Sequence, residues 1–187
     1  MQTTMHNQVA GILEELSRTV QAVDEASVNA LIAQIVRADR IMVAGAGRSG
    51  LMMRAFAMRL MHLGFNAYVV GETVTPGLGE NGLLIIGSGS GETKSLVTMA
   101  EKARTIGASV AAITIHPGST IGELADTIVQ VPAASKENTS QTRATIQPMG
   151  ALFEQSLLMI FDAMILQLMR VQEIDNAAMF GRHANLE

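Results

Sequence analysis

Cysteine and tryptophan are absent from this 187-residue chain, and its aromatic residues are five Phe and one Tyr. Without cysteine there are no disulfides and no thiol catalysis, which is compatible with a reducing compartment. So few rings leave little to stack bases or sugars on. Positive charge is also scarce. Thirteen Lys and Arg face seventeen Asp and Glu, giving a formal net charge of −4 with no basic run, so nucleic acid is not an expected partner. No uninterrupted apolar stretch approaches the roughly 18 residues that span a bilayer, and Met1–Val20 is polar and amphipathic without a signal-peptide core. Neither membrane nor export is therefore expected, and a cytoplasmic location is. What is present is a 48% hydrophobic composition, enough for a folded core and against disorder, in a length that suits one domain.

The glycines are concentrated where they are informative. Ile41-Met42-Val43-Ala44 runs into Gly45-Ala46-Gly47-Arg48-Ser49-Gly50. Leu83-Leu84-Ile85-Ile86 runs into Gly87-Ser88-Gly89-Ser90-Gly91-Glu92-Thr93. Each apolar run reads as a strand, and each turn opens a helical pattern. Strand, glycine turn and helix start together make an anion site: glycine lets the backbone approach, the first N–H groups are free, and the helix dipole favours negative charge. Ser88, Ser90 and Thr93 add hydroxyl donors. Two such turns within one short stretch suggest a small-molecule site that grips a phosphate.

Along the chain, apolar spacing predicts helices over Met5–Val20, with Val9, Ile12, Leu13, Leu16 and Val20 on one face, and after Asp24, a good N-cap. Strand Arg40–Ala46, helix Ser49–Leu63 and strand Ala67–Val70 follow. After a Gly/Pro/Thr loop come strand Leu83–Gly87, helix Glu92–Ile106, strand Ser109–Ile115, a short helix Thr120–Ala125 and strand Thr127–Val131. The polar loop Pro132–Gln147 is the candidate flexible segment. Pro148 suits the first turn of a long helix ending near Val171, and Glu173–Glu187 adds a short helix. This predicts one α/β domain: a three-layer sandwich with a five-stranded parallel sheet, an N-terminal helical pair (1–38), a sheet core (40–131) and C-terminal helices (148–187). Ligands bind such sheets at the carboxyl ends of the strands, where both glycine turns lie. The last long helix is apolar on most sides, which predicts burial on most sides, by a second subunit in preference to its own chain.

Two motif readings compete with the phosphate cradle. Gly45-x-Gly47-x-x-Gly50, with Glu72 downstream, matches a dinucleotide fingerprint, but Arg48 crowds the turn and no substrate domain follows. Gly87–Thr93 lacks the Gly-Lys-[Ser/Thr] of a P-loop. As an ordinary helix start it needs only Ser90 as N-cap and Glu92 against the dipole, which leaves Ser88 and Thr93 without a purpose. Glu154, early in the apolar helix beside Phe153, is a candidate general base. His183 sits in a polar tail, His62 near a helix end, and His6 and His116 carry no pattern. No metal-ligand spacing is present, so no metal is expected.

Taken together, the residues resemble the 6-phospho-3-hexuloisomerases of the sugar isomerase (SIS) superfamily. The resemblance rests on Gly45–Gly50, Ala57–Ala67, Gly87–Ser95, Thr145–Gly150, Leu152–Gln155 and His183–Glu187, and it covers essentially the whole chain. It implies a flavodoxin-like SIS fold, a cytosolic homotetramer built as a dimer of dimers, and no organic cofactor. The implied reaction turns D-arabino-3-hexulose 6-phosphate into fructose 6-phosphate, downstream of 3-hexulose-6-phosphate synthase in the ribulose monophosphate route. Glu154 is then the implied base and His183 a proton shuttle that a neighbouring subunit could supply. Gly47, Arg48, Ser49, Glu72, Ser88, Ser90 and Thr93 form the implied substrate site. The alternatives within this superfamily are another phosphosugar aldose–ketose isomerase, or a sugar-phosphate sensor that keeps the cradle without chemistry.

Overall fold

The computed structural model describes residues 4–134 and 145–186; most of the predicted flexible segment, 135–144, lies outside them. Two helices, α1 (Met5–Gln21) and α2 (Glu25–Arg37), precede β1 (Arg40–Gly45). Then come α3 (Gly47–Leu63), β2 (Ala67–Val69), β3 (Gly82–Gly87), α4 (Lys94–Ile106) and β4 (Ser109–Thr114). The chain continues through α5 (Thr120–Leu124), β5 (Thr127–Gln130), α6 (Ala151–Val171) and α7 (Asn176–Phe180).

These five strands form one parallel sheet in the order β2-β1-β3-β4-β5. Parallel pairing needs a crossover between neighbours, and the alternating strand and helix patterns supply it. The central strands are apolar on both faces, and their period of two divides them between two cores. Ile41, Val43, Leu83, Ile85 and Ile113 pack toward α2, α3 and α6. Met42, Ala44, Leu84, Ile86 and Ala112 pack toward α4 and α5. The first core is anchored by the stacked rings of Phe56 and Phe161, 4.2 Å apart.

Because β1 has β2 on one side and β3 on the other, the order in which successive strands are added reverses between β1 and β3. Their last residues, Gly45 and Gly87, are register partners. The carboxyl ends of both strands therefore open onto one crevice at the topological switch point, the usual ligand position in such sheets.

Three expectations change. The stripe predicted on α1 is only partly used: Glu15 and Thr19 are buried, while Val9 and Leu13 are 44% and 60% exposed. The helix leans on α6 by its Glu15 side, which leaves the Val9–Leu13 edge outward. Pro148 does not lie in the first turn of α6; the helix starts at Ala151 after Met149 and Gly150, both at positive φ. Finally, α6 is the one helix among the described residues long and apolar enough to cross a membrane, but 56% of its most apolar window is buried inside the fold. Its own chain covers much of it, through α1, α2 and α3, and leaves Met159, Leu166 and Val171 among the apolar residues exposed.

Candidate active site

A cleft of about 850 Å³ lies over the carboxyl ends of β1, β3 and β4. Gly47 and Ser49 line it from the start of α3, and Ser88, Ser90, Glu92 and Thr93 from the β3–α4 turn. His116 and Ser119 come from the turn after β4, and Gly150, Phe153 and Glu154 from the start of α6.

Three long helices begin at this cleft, and none is closed by a side chain. Their N-caps are Ala46 for α3, Thr93 for α4 and Gly150 for α6, each without a side-chain cap hydrogen bond. The first amides of a helix have no partner inside it, so these three starts present N–H donors and positive dipole ends to the cleft. The serines are prepared in the same sense. Ser88 Oγ accepts the Gly91 N–H at 3.2 Å, and Ser90 Oγ accepts the Glu92 N–H at 3.3 Å. With the oxygen held by backbone, the hydroxyl hydrogen is the group left to donate.

Two glycines are required by contact. A Cβ on Gly50 would stand 2.6 Å from the Gly45 carbonyl oxygen, so α3 can lie this close to β1 only without a side chain there. Gly91 sits at φ 67, and a Cβ would fall 1.9 Å from Ser119 Oγ. The β3–α4 turn is therefore seated directly on the turn after β4.

Glu92 makes the second link between those turns. Its two oxygens accept the Thr120 N–H and the Thr120 hydroxyl, each at 2.8 Å. Those bonds, the backbone one first, hold its carboxyl below the usual carboxylate range. The rival reading as an ordinary helix start, with Glu92 complementing its own helix, does not describe this turn: α4 begins two residues later, and the carboxylate serves the start of α5.

Glu154 is 3% exposed, and its Oε2 lies 3.3 Å from Nη1 of Arg48, whose side chain is 52% exposed. The pair joins the first turn of α3 to the first turn of α6. The chemistry on offer is thus a buried carboxylate at the wall of a cleft whose floor donates hydrogen bonds to an anion.

A family model described as the SIS domain matches residues 34–172. The chain belongs to the SIS family. This SIS domain is 51% identical, over the whole of both chains, to a Bacillus subtilis (strain 168) protein named 3-hexulose-6-phosphate isomerase. A Mycobacterium gastri protein of the same name is 41% identical, with 97% of this chain and 90% of the relative covered. A solved Methanococcus jannaschii structure superposes with a TM-score of 0.83 at 35% identity, covering 96% and 99% of the two chains. Its description infers a molecular function of 3-hexulose-6-phosphate isomerase for that protein. The resemblance drawn from the sequence motifs therefore holds, as does the expected parallel-sheet SIS architecture.

Among the anticipated site residues, the cleft of this SIS domain gathers Gly47, Ser49, Ser88, Ser90, Thr93 and Glu154, with Arg48 held against Glu154. Two stand elsewhere. Glu72 is ion-paired with Arg54 of α3 and is not among the cleft residues. His183 stacks on His62, ring centroids 5.4 Å apart, at the C-terminal end of α3, whose N-terminal end is the one at the cleft. Seventeen residues of helix separate those ends, about 25 Å at 1.5 Å per residue. His183 thus does not reach this cleft from its own chain. Sequence reasoning missed His116, Ser119 and the bridge from Glu92 to Thr120. The signal was present: His116-Pro117-Gly118-Ser119 directly follows an apolar strand, as both recognised turns do.

Proposed function

We propose that this SIS domain is a 3-hexulose-6-phosphate isomerase, converting D-arabino-3-hexulose 6-phosphate to fructose 6-phosphate. The observation that carries the reading is the buried carboxylate of Glu154 on the wall of a cleft lined by hydroxyls and uncapped helix starts. The names of the full-length relatives supply the substrate.

The reaction moves a carbonyl from C3 to C2. Glu154 removes the C2 proton, which gives a cis 2,3-enediol(ate), and returns it to C3 on the same face. The O2 proton is lost as O3 gains one. A positioned base of this kind contributes roughly 10²–10⁴-fold. Ser49, Ser88, Ser90 and Thr93, with the N–H groups of α3 and α4, hold the 6-phosphate. That grip is remote from C2 and C3, so its binding energy orients the reacting carbons. Arg48 keeps N–H donors beyond the one facing Glu154 and turns them to the oxygen where charge develops. The substrate is open-chain: O6 carries phosphate, and closure of O5 on C3 gives a strained four-membered ring. No ring-opening acid is needed in this direction.

The finer assignments extend this reading. A homotetramer, a dimer of dimers, is supported by apolar side chains left exposed on α1, α3 and α6, such as Leu13, Leu51, Met58 and Leu166. In such an assembly His183 of one subunit serves the cleft of another, shuttling the proton between O2 and O3. Glu72, paired with Arg54, is left out of the substrate site. The protein works in the cytoplasm behind 3-hexulose-6-phosphate synthase.

The deciding experiment makes the hexulose phosphate in situ from ribulose 5-phosphate, formaldehyde and a synthase. Fructose 6-phosphate is then read through glucose-6-phosphate isomerase and dehydrogenase. NADPH formed only when this protein is added is the expected result. No signal with an active synthase overturns the proposal.

A further inference from the structure

Two carboxylates among the described residues are buried, and catalysis by Glu154 uses only one. The other is Glu15, on α1, 7% exposed. It faces three donors from a stretch far away in sequence. Thr145 Oγ1 donates to its Oε2 at 2.7 Å, the Ile146 N–H to its Oε1 at 2.8 Å, and Gln147 Nε2 to its Oε2 at 3.0 Å. The network closes on itself, because Thr145 Oγ1 also accepts the Gln147 N–H at 3.1 Å. Burial raises the Glu15 carboxyl's proton affinity, but the bonds from Gln147, Thr145 and Ile146, with Arg18 nearby, outweigh it, and the pKa lies below its ordinary value. The carboxylate is thus the form this network is built around.

One turn earlier on α1 stands Gly11, a residue that costs about 1 kcal/mol in a helix interior relative to Ala. A Cβ there would lie 2.8 Å from Ile146 Cδ1. Gly11 and Glu15, four residues apart, share one face of the helix. That face receives residues 145–147, the glycine by leaving space and the glutamate by accepting hydrogen bonds.

The next residues along the chain give this contact its purpose. Met149 and Gly150 turn the backbone at φ 56 and φ 82, and the Ala151 N–H bonds back to Pro148 O at 2.9 Å. Helix α6 starts there, and Gly150 and Glu154 line the cleft from its beginning. The start of α6 carries no side-chain cap of its own, so its position depends on what holds the residues before it. We infer that Glu15 is a positioning residue for catalysis: by gripping Thr145, Ile146 and Gln147 it fixes where α6 begins, and hence where Glu154 meets the substrate. The inference rests on Glu154 being the base.

Glu15→Gln keeps the size and removes the charge that holds three donors. The phosphate cradle stands on α3 and α4, so KM stays within about threefold while kcat falls by about tenfold or more, since an ångström of misplacement costs up to 10²-fold. In a Glu154→Gln background the same change costs nothing further, because a positioning residue has then lost what it positions. Gln147→Leu, which removes one donor from an amide whose Oε1 has no partner, follows the same pattern more weakly and serves if Glu15→Gln does not fold. Amide exchange of Ala151 and Glu154 is the readout that needs no turnover: it quickens in both variants while the strands keep their protection.

Unchanged kcat in Glu15→Gln and Gln147→Leu, with Glu154→Gln inactive, overturns the positioning role. So does an equal further loss in the Glu154→Gln background. If the parent has no hexulose phosphate activity, or Glu154→Gln keeps it, the reading of the active site fails instead. The exchange of Ala151 and Glu154 then decides the latch by itself, and unchanged exchange removes it.

Discussion

The seven helices of the described residues start in two ways. Four are closed by a side chain: Thr4 for α1, Asp24 for α2, Ser119 for α5 and Asp175 for α7 each accept an N–H of the first turn. The other three, α3, α4 and α6, have no such bond, and these are the three whose open amides face the cleft. A cap contributes about 1 kcal/mol, so leaving three helices uncapped forgoes a few kcal/mol in a molecule whose net stability is of the order of ten. The difference separates two uses of one group of atoms. In the first set a free amide is satisfied by a side chain; in the second the amides stand open at the cleft. A bound phosphate would then supply what the missing caps do not, and substrate binding is expected to stabilise the fold.

The largest effect comes from the chemistry those uncapped starts serve. Glu154→Gln lowers kcat by roughly 10²–10⁴-fold, with KM little changed because the cradle is elsewhere. Steady-state rates in the coupled assay measure it. A kcat within a few-fold of the parent removes Glu154 from the role of base.

Next in size is an attempt to cap what is left open. Ala46→Asp places a cap-forming carboxylate at the start of α3, where it competes for the N–H groups and repels the phosphate. The thermal midpoint without ligand is expected to rise slightly or stay level. KM rises by about tenfold or more, since a unit charge within a few ångström of a phosphate costs about 1–4 kcal/mol at intermediate dielectric. The gain in stability and the loss of affinity should appear in the same variant. An unchanged KM means that the α3 amides do not hold the anion.

The converse variant touches a closed start. Asp24 accepts the Ser27 N–H at 2.8 Å, so Asp24→Ala costs about 1 kcal/mol of stability and leaves kcat and KM as they were. Urea denaturation gives the first number and the coupled assay the others. A kinetic change as large as that of Ala46→Asp erases the distinction between the two sets of helices.

This distinction is half legible in the sequence. The glycine turns at Gly45–Gly50 and Gly87–Thr93 announce two open starts, because strand, glycine and helix lie within about ten residues of each other. The third, at α6, is not announced: Pro148 suggests the first helical turn, whereas the structure spends Pro148–Gly150 on a turn and starts the helix at Ala151. Nothing local encodes that. The residues just before the turn bond to Glu15, 130 residues away from Thr145 in the chain, and a contact of that range leaves no periodicity to read. Glu15 is hidden for the same reason on its own helix. A second carboxylate, Glu14, stands directly before it, and the apolar stripe points instead to Val9 and Leu13, which the chain leaves exposed. The pairing of Arg48 with Glu154 is invisible too, although each residue stands out by itself.

The smallest expected effect concerns the far end of α3, where the tail carrying His183 is docked. His62 is 3% exposed. Its ring has the Arg59 guanidinium 3.4 Å from Nδ1 and the His183 ring 5.4 Å away, and its carbonyl accepts from Arg182. Burial, then the charges of Arg59 and His183, push its pKa below the ordinary 6.5. The folded state therefore keeps His62 neutral, while the unfolded chain takes up a proton near its ordinary pKa. Stability is full above that value and declines as pH falls below it, because the unfolded state then binds more protons. Glu15 also has a lowered pKa, but its contribution is lost only at pH below the ordinary carboxylate value, so it does not enter between about pH 7.5 and about pH 5.5. Between about pH 7.5 and about pH 5.5 the thermal midpoint of the parent should fall, and His62→Gln should flatten that fall. The cleft end of α3 lies about 22 Å from His62 along the helix, so His62→Gln should leave KM unchanged at every pH in that range. An identical slope in His62→Gln and the parent means that the two ends of α3 do not differ in this way.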